Sequence, residues 1–238
     1  MNHKHPKNPP FWTNCPKCNE TWQEEADELD SRAKGGTSAA ERAEAHAMAQ
    51  ANIPKRYRGL AVHEWPTPYP QMRNFKSTVL TYANMISQNV DRGIGLTMSG
   101  KTGTGKTHLA CCILQSALKK GGTALYTTST DMVDAIAATY SGSGSKEAVI
   151  ESYVTPDVLC LDELGREQGE EHSKNLIFRV LDKRNHCRKP TLICTNLDAK
   201  ALTAYLGEPM VDRLKEGGAK FLRLQWPSMR GSDYDTGV

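Results

Sequence analysis

Gly100-Lys101-Thr102-Gly103-Thr104-Gly105-Lys106-Thr107 is the stretch whose residue types and spacing could act on a phosphate. A glycine, four residues, then Gly-Lys-Thr is the pattern of a phosphate-cradling loop. Its glycines let the backbone curl so that successive N–H groups converge on anionic oxygens. Lys106 is spaced to reach the terminal phosphates of a nucleoside triphosphate, and the Thr107 hydroxyl to bind Mg2+. Two further spots could complete such a site. Asp162-Glu163 follows the apolar run Val158-Leu159-Cys160-Leu161, and Asn196 follows Thr191-Leu192-Ile193-Cys194-Thr195. ATP hydrolysis needs a metal clamp, an oriented water and charge stabilisation at the γ-phosphate. Asp162 would hold Mg2+, Glu163 would polarise the attacking water, and Asn196 would hydrogen-bond that water or the γ-phosphate. The competing readings are a solvated turn for the acid pair and a helix cap for Asn196.

The elements that must position these residues are legible from periodicity. A strand through Ile94, Leu96 and Met98 leads into the loop, and a helix over 109–118 leads out. Further strands are expected at 123–128, 158–161, 191–195 and 221–224. Helices are expected at 75–91, 131–140, 146–153, 171–186, 198–206 and 210–215. Strands alternating with helices from 94 to 225 imply a parallel sheet covered on both faces. Ligands bind such sheets at the carboxyl ends of the strands, which is where all three spots fall.

Bulk properties set the remaining limits. With 238 residues the chain can form one large domain and a small appendage, and 38 % hydrophobic with 24 % charged residues is the balance of a folded chain. The net charge of +3 is too small to argue for nucleic acid by itself. No apolar run approaches the length of a membrane span. Met1 is followed by Asn2, His3, Lys4, His5 and Pro6 rather than an apolar core, so no secretory leader and no membrane partner are expected. Several of the seven cysteines (Cys111, Cys112, Cys160, Cys194) lie in expected core elements. That usage fits thiols kept reduced in a cytoplasm.

The first 52 residues read as a separate N-terminal partner-binding region, with the catalytic domain spanning 53–238. Cys15 and Cys18 form half of a zinc site. The other half would come from His3, His5, His46 or a second chain, and the alternative is a loosely packed thiol pair. Trp12 and Trp22 flank the pair. Ser38 and Glu41 form a capping-box pattern that opens an Ala-rich helix to about Ala51, either a linker or a docking element.

Six segments, in this order and spacing, carry a family resemblance: Gly100 to His108, Pro156 to Gly165, Leu181 to Arg184, Thr195 to Leu197, Leu206 to Leu214, and Trp226 to Arg230. From about Ile53 to Arg230 the chain resembles the DnaC/IstB group of AAA+ ATPases, and within it the replicative helicase loaders, including phage-encoded forms. The resemblance implies an α/β AAA+ fold of the P-loop NTPase class: a three-layer parallel sheet flanked by helices, with a small N-terminal extension. It implies that Gly100 to His108 bind ATP, that Asp162 and Glu163 are the Walker B pair, and that Asn196 is the sensor-1 residue. Arg213 matches the arginine finger acting on a neighbouring subunit's ATP, so ring or spiral self-assembly is implied; a surface ion pair with Asp212 or Glu208 is the alternative. Arg230 would serve as sensor 2, and Ile53 and Tyr57 would pack around the adenine, with simple core packing as the alternative. The implied partners are a DnaB-type replicative helicase, gripped by the N-terminal region, and single-stranded DNA near Tyr140, the Ser/Gly loop and Lys146. The group also contains transposition helper ATPases. The acidic stretch from Glu20 to Asp30 favours a protein partner over duplex DNA for the N-terminal region. A small-molecule kinase is a third reading, and the Asp-Glu pair argues against it, because an activated water is unwanted there. Lys106→Ala is expected to abolish nucleotide binding, measured by titration with a fluorescent ATP analogue.

Overall fold

An apolar run without alternation must be covered on both faces, and the central strands here are of that kind. In the computed structural model, which describes residues 39–140, 145–166 and 171–230, five strands form one sheet. They are β1 (Leu96–Gly100), β2 (Ala124–Thr128), β3 (Val158–Leu164), β4 (Thr191–Thr195) and β5 (Lys220–Leu224). Their order is β2-β3-β4-β1-β5, with every neighbouring pair parallel. Nine helices are described: α1 (Ala39–Gln50), α2 (Pro70–Asn84), α3 (Ile86–Arg92), α4 (Lys106–Lys119), α5 (Ser129–Ala137), α6 (Lys146–Val154), α7 (Glu171–His186), α8 (Ala199–Leu206) and α9 (Glu208–Glu216).

The period-two geometry of strands divides the core into two. Leu96, Met98, Val158, Cys160, Leu192 and Cys194 face α2, α3 and α4. Leu125, Leu159, Leu161 and Ile193 face the layer built by α5 to α9. This is the three-layer arrangement expected from the sequence. Cys111, Cys112, Cys160 and Cys194 are all buried free thiols. Among the described residues no helix is long and apolar enough to cross a membrane.

Local differences from the sequence reading have local causes. The helix expected at 75–91 starts at Pro70, where proline suits the first turn and Tyr69 before it is extended. It breaks at Met85 (φ −96°, ψ 16°). The buried Asn89 side chain then reaches back and donates to the Tyr82 carbonyl at 3.0 Å. The helix expected from Asp131 begins at Ser129, because Thr128 caps it by accepting from the Asp131 N–H at 3.0 Å. The last turn of α1 is anchored: Met48, Ala49 and Ala51 are buried. The Tyr126 N–H donates to the Ala51 carbonyl at 2.8 Å, and the Asn52 amide donates to the Tyr126 carbonyl at 3.1 Å. Edge strand β2 is thereby capped at its middle.

Arg184 on α7 is completely buried. Among the described residues no carboxylate forms an ion pair with it. Its guanidinium donates instead to the carbonyls of Tyr153, Val154, Pro156, Asp157 and Pro190 at 2.7–3.3 Å, and to the Thr191 hydroxyl at 3.0 Å. Those carbonyls lie at the end of α6 and in the approaches to β3 and β4, so one side chain ties α6, α7 and both central strands together. Burial pulls its pKa down to about 9, which still leaves it charged at neutral pH. Arg184→Met keeps much of the volume but strands five carbonyls. It is expected to cost about 3 kcal/mol or more, read from denaturant unfolding of the two proteins.

Candidate nucleotide-binding site

The phosphate loop leaves β1 and runs into α4. Gly103 and Gly105 both hold left-handed backbone (φ 82° and 96°), a conformation that glycine adopts without steric cost. Gly105 is the N-cap of α4 and supplies no side-chain cap, so the first N–H groups of the helix stay available to an anion. Gly100, Lys101 and Thr104 shape the loop from outside the cavity. The Thr104 hydroxyl donates to the Lys101 carbonyl at 2.8 Å. A Cβ on Gly100 would meet the Leu224 carbonyl at 2.7 Å.

Lys106 Nζ uses its three protons on the Gly100 carbonyl (2.7 Å), the Lys101 carbonyl (2.9 Å) and Asn196 Oδ1 (2.9 Å). Burial lowers its pKa. The Asn196 amide therefore presents its NH2 side, which lies 3.4 Å from the Thr102 hydroxyl. Asn196 does not cap α8; Asp198 does, accepting from the Ala201 N–H at 2.8 Å.

Asp162 is nearly buried and accepts three hydrogen bonds. Thr107 Oγ1 and the Tyr126 hydroxyl donate to its Oδ2 at 2.7 and 2.9 Å, and the Glu163 N–H donates to its Oδ1 at 2.8 Å. Burial, and then the Asp162 charge, push the Tyr126 hydroxyl far above its ordinary pKa, so it remains a donor. β3 runs on through the acid pair to Leu164, and its register against β4 shifts between Leu161 and Leu164. Glu163 sits in that irregularity with φ 58°. Regular alternation would send Asp162 and Glu163 to opposite faces; the bulge turns both into one cavity. Thr195 secures the end of the strand, donating to the Leu164 carbonyl at 2.7 Å and accepting from the Leu197 N–H at 3.0 Å.

The cavity has a volume of about 680 Å3, within the ~300–1,000 Å3 of small-molecule sites. Thr102, Gly103, Gly105, Lys106 and Thr107 line its polar end with Asp162, Glu163 and Asn196. Tyr57, Leu60, Trp65, Pro66 and Met229 form a more apolar wall, joined by His108 and Arg230. The Tyr57 and His108 rings lie 6.0 Å apart, and Arg56 sits 4.6 Å over the Tyr57 ring. Burial lowers the His108 pKa and raises that of Tyr57, which keeps both neutral. Ile53 corrects the sequence expectation: it is fully buried and outside the lining, and its carbonyl accepts from Arg58 Nε at 2.7 Å.

Several lining residues went unnoticed in the sequence: Arg56, Trp65, Arg166 and Met229. Trp65 belongs to an aromatic cluster with Phe75 and Trp226, whose rings lie 5.1–6.1 Å apart. Trp226 Nε1 donates to the Thr104 carbonyl at 3.0 Å, and the Met229 N–H donates to the Gly103 carbonyl at 2.9 Å. The 226–230 segment thus lies across the phosphate loop. Arg213, on α9, is outside the cavity. It pairs with Asp182 on α7, not with Asp212 or Glu208, and lies 5.9 Å over the Phe178 ring.

Among the described residues no group of three His, Cys, Asp or Glu side chains could hold a metal alone. Thr107 and Asp162 offer adjacent oxygens, a donor set that suits Mg2+ shared with phosphates. Cys15, Cys18, His3 and His5 lie outside the described residues.

Strand order, phosphate loop and bulged carboxylate pair together define an AAA+ nucleotide-binding domain. Residues 36–230 match the family profile of the IstB-like ATP binding protein, and the chain belongs to that family. It is 34 % identical over 133 residues to the replicative helicase loader DnaC of Escherichia coli K12, covering 56 % of this chain and 54 % of that protein. The match therefore spans about half the length of that relative. The DnaC loader of Buchnera aphidicola from Acyrthosiphon pisum is 27 % identical over 193 residues, covering 79 % of this chain and 77 % of the loader. The crystal structure of the DnaC helicase loader superimposes with a TM-score of 0.65 at 25 % identity, over 72 % of this chain and 100 % of that one.

A Cβ on Gly103 would stand 1.9 Å from Ser228 Oγ. Gly103→Ala is therefore expected to destabilise the fold by about 1–3 kcal/mol. Adding Ser228→Gly should recover part of that loss, as read from a double-mutant cycle of unfolding free energies.

Proposed function

We propose that the protein is an ATP-hydrolysing helicase loader. The observation that carries this reading is the meeting of Lys106, the Thr107–Asp162 pair, Glu163 and Asn196 in one cavity, in a chain similar to DnaC loaders. On this reading ATP lies with its phosphates on the loop and its adenine against Tyr57, Leu60 and His108. Lys106 leaves the loop carbonyls for the β- and γ-phosphates. Thr107 and Asp162 hold Mg2+, which neutralises developing charge on the phosphates. Glu163 polarises the attacking water, and Asn196 donates from its NH2 group to that water or to the γ-phosphate. Arg230 contacts the phosphates from the 226–230 segment.

Arg213 exchanges Asp182 for the γ-phosphate of an adjoining copy in a ring or spiral, so turnover depends on assembly. The partners are a DnaB-type replicative helicase, held through residues 1–52, and single-stranded DNA, in the cytoplasm. Tyr140 supports the DNA contact: it is 53 % exposed, with Lys146 Nζ 4.8 Å over its ring and the His172 ring 5.6 Å away. An exposed ring beside a lysine is a platform for a stacked base. Zn2+ at Cys15 and Cys18 would order the helicase-binding end. The group that the chain resembles also contains transposition helpers; the acidic residues Glu20, Glu24, Glu25, Asp27, Glu28 and Asp30 favour the loader reading.

Glu163→Gln should retain ATP without hydrolysing it, and Arg213→Ala should bind ATP while losing turnover by about 1,000-fold or more. Mixing the two variants should restore turnover, because each supplies the group the other lacks. Full phosphate release by Arg213→Ala alone would sink the shared-site reading.

A further inference from the structure

Arg166 is a cation inside the nucleotide cavity with no part in the scheme above. It lines the same cavity as Glu163, and its guanidinium donates to Glu163 Oε1 at 2.6 Å. The intervening chain is built to bring the two together. The Arg166 N–H donates to the Glu163 carbonyl at 3.1 Å, which closes a turn. That turn contains two left-handed residues, Glu163 at φ 58° and Gly165 at φ 88°. A Cβ on Gly165 would stand 2.6 Å from Leu197 Cδ1, so β4 and its exit close the space on that side. Ser129 Oγ donates to the Glu163 carbonyl at 3.2 Å from α5. The directions in which Glu163 and Arg166 leave the backbone are therefore set by packing from two neighbouring elements, not by the reach of one long side chain.

The consequence is chemical. A carboxylate accepts a proton from water through a free oxygen lone pair aimed at that water. In this arrangement Oε1 is engaged by a guanidinium at charge-assisted hydrogen-bond distance. Among the described residues nothing else pairs with the Glu163 carboxylate, and Arg166 pairs with no other carboxylate. The Arg166 side chain is 63 % exposed, so the pair exchanges readily with a free state.

We propose that Arg166 is a positioning residue that restrains Glu163 and holds down ATP hydrolysis by the chain on its own. The proposal rests on the reading of Glu163 as the water-polarising group. The carboxylate is active in the fraction of molecules in which the pair is open, so basal turnover follows that fraction. Arg166 binds neither the nucleotide nor the metal in this account.

The test uses the full chain and steady-state phosphate release at saturating ATP, with Kd for a fluorescent ATP analogue measured alongside. Arg166→Ala should raise kcat by about fivefold, the weight of an exposed ion pair, with nucleotide Kd unchanged. Arg166→Lys, which keeps a cation, should fall between Arg166→Ala and the unaltered chain. Raising salt should increase the kcat of the unaltered chain relative to Arg166→Ala, because screening opens the pair. A merely structural role would move none of these ratios. An unchanged or lower kcat in Arg166→Ala overturns the proposal, and so does a weakened Kd, which would make Arg166 a phosphate ligand. Glu163→Gln separates the two levels. If it still hydrolyses ATP, the reading of Glu163 fails and the restraint fails with it. If it is inactive while Arg166→Ala is no faster, only the restraint falls.

Discussion

A β-strand turns consecutive side chains to opposite faces, and this site needs two consecutive carboxylates on one. The conflict is resolved at a single place, the irregularity between Leu161 and Leu164, where Glu163 takes a left-handed backbone. Such a conformation costs a non-glycine residue of order 1–3 kcal/mol. It persists because its neighbours determine it: the Glu163 N–H is held by Asp162, its carbonyl by Ser129 and Arg166, and the Leu164 carbonyl by Thr195. Asp162 meanwhile stays in strand geometry, gripped by Thr107 and Tyr126. The rest of the site is arranged around this departure from regular β-structure.

In the single chain several charged groups are already satisfied internally, Lys106 and Glu163 in the cavity and Arg213 outside it. Lys106 is spent on loop carbonyls and Asn196, Glu163 on Arg166, and Arg213 on Asp182. Each is a charge-assisted bond between side chains or to backbone; Lys106 is buried, while the Glu163–Arg166 and Arg213–Asp182 pairs stay partly exposed to solvent. On the proposed reading, nucleotide and a second copy would replace these bonds rather than add to an unbonded set. The net gain on binding is the difference between two sets of contacts, which makes the site responsive to modest changes in its surroundings.

Much of this was legible in the sequence, for physical reasons that differ from residue to residue. The phosphate loop and the buried strands are local patterns: glycine spacing dictates one, and unbroken apolar runs dictate the other. The cap at Asp198 and the buried thiols were readable in the same way. Ile53 was misplaced because an apolar residue beside a nucleotide looks no different in sequence from one in the core beneath it. The helix break at Met85 carries no glycine or proline, and it depends on Asn89 bonding back to Tyr82. The roles of Arg184, Arg166 and the Trp65–Phe75–Trp226 cluster depend on partners brought up by the fold, and Trp226 meets Thr104 across 122 positions of chain. Arg213 was singled out by its surroundings in sequence, but its partner Asp182 was not among the candidates considered.

Tyr126 occupies two structures at once. Its backbone is clasped by Ala51 and Asn52 at the end of α1, and its phenol reaches the carboxylate on which a magnesium ion would rest. A single residue therefore couples the seating of α1 to the setting of Asp162: the edge strand that the leading helix closes is the one that supplies the carboxylate with a hydrogen bond.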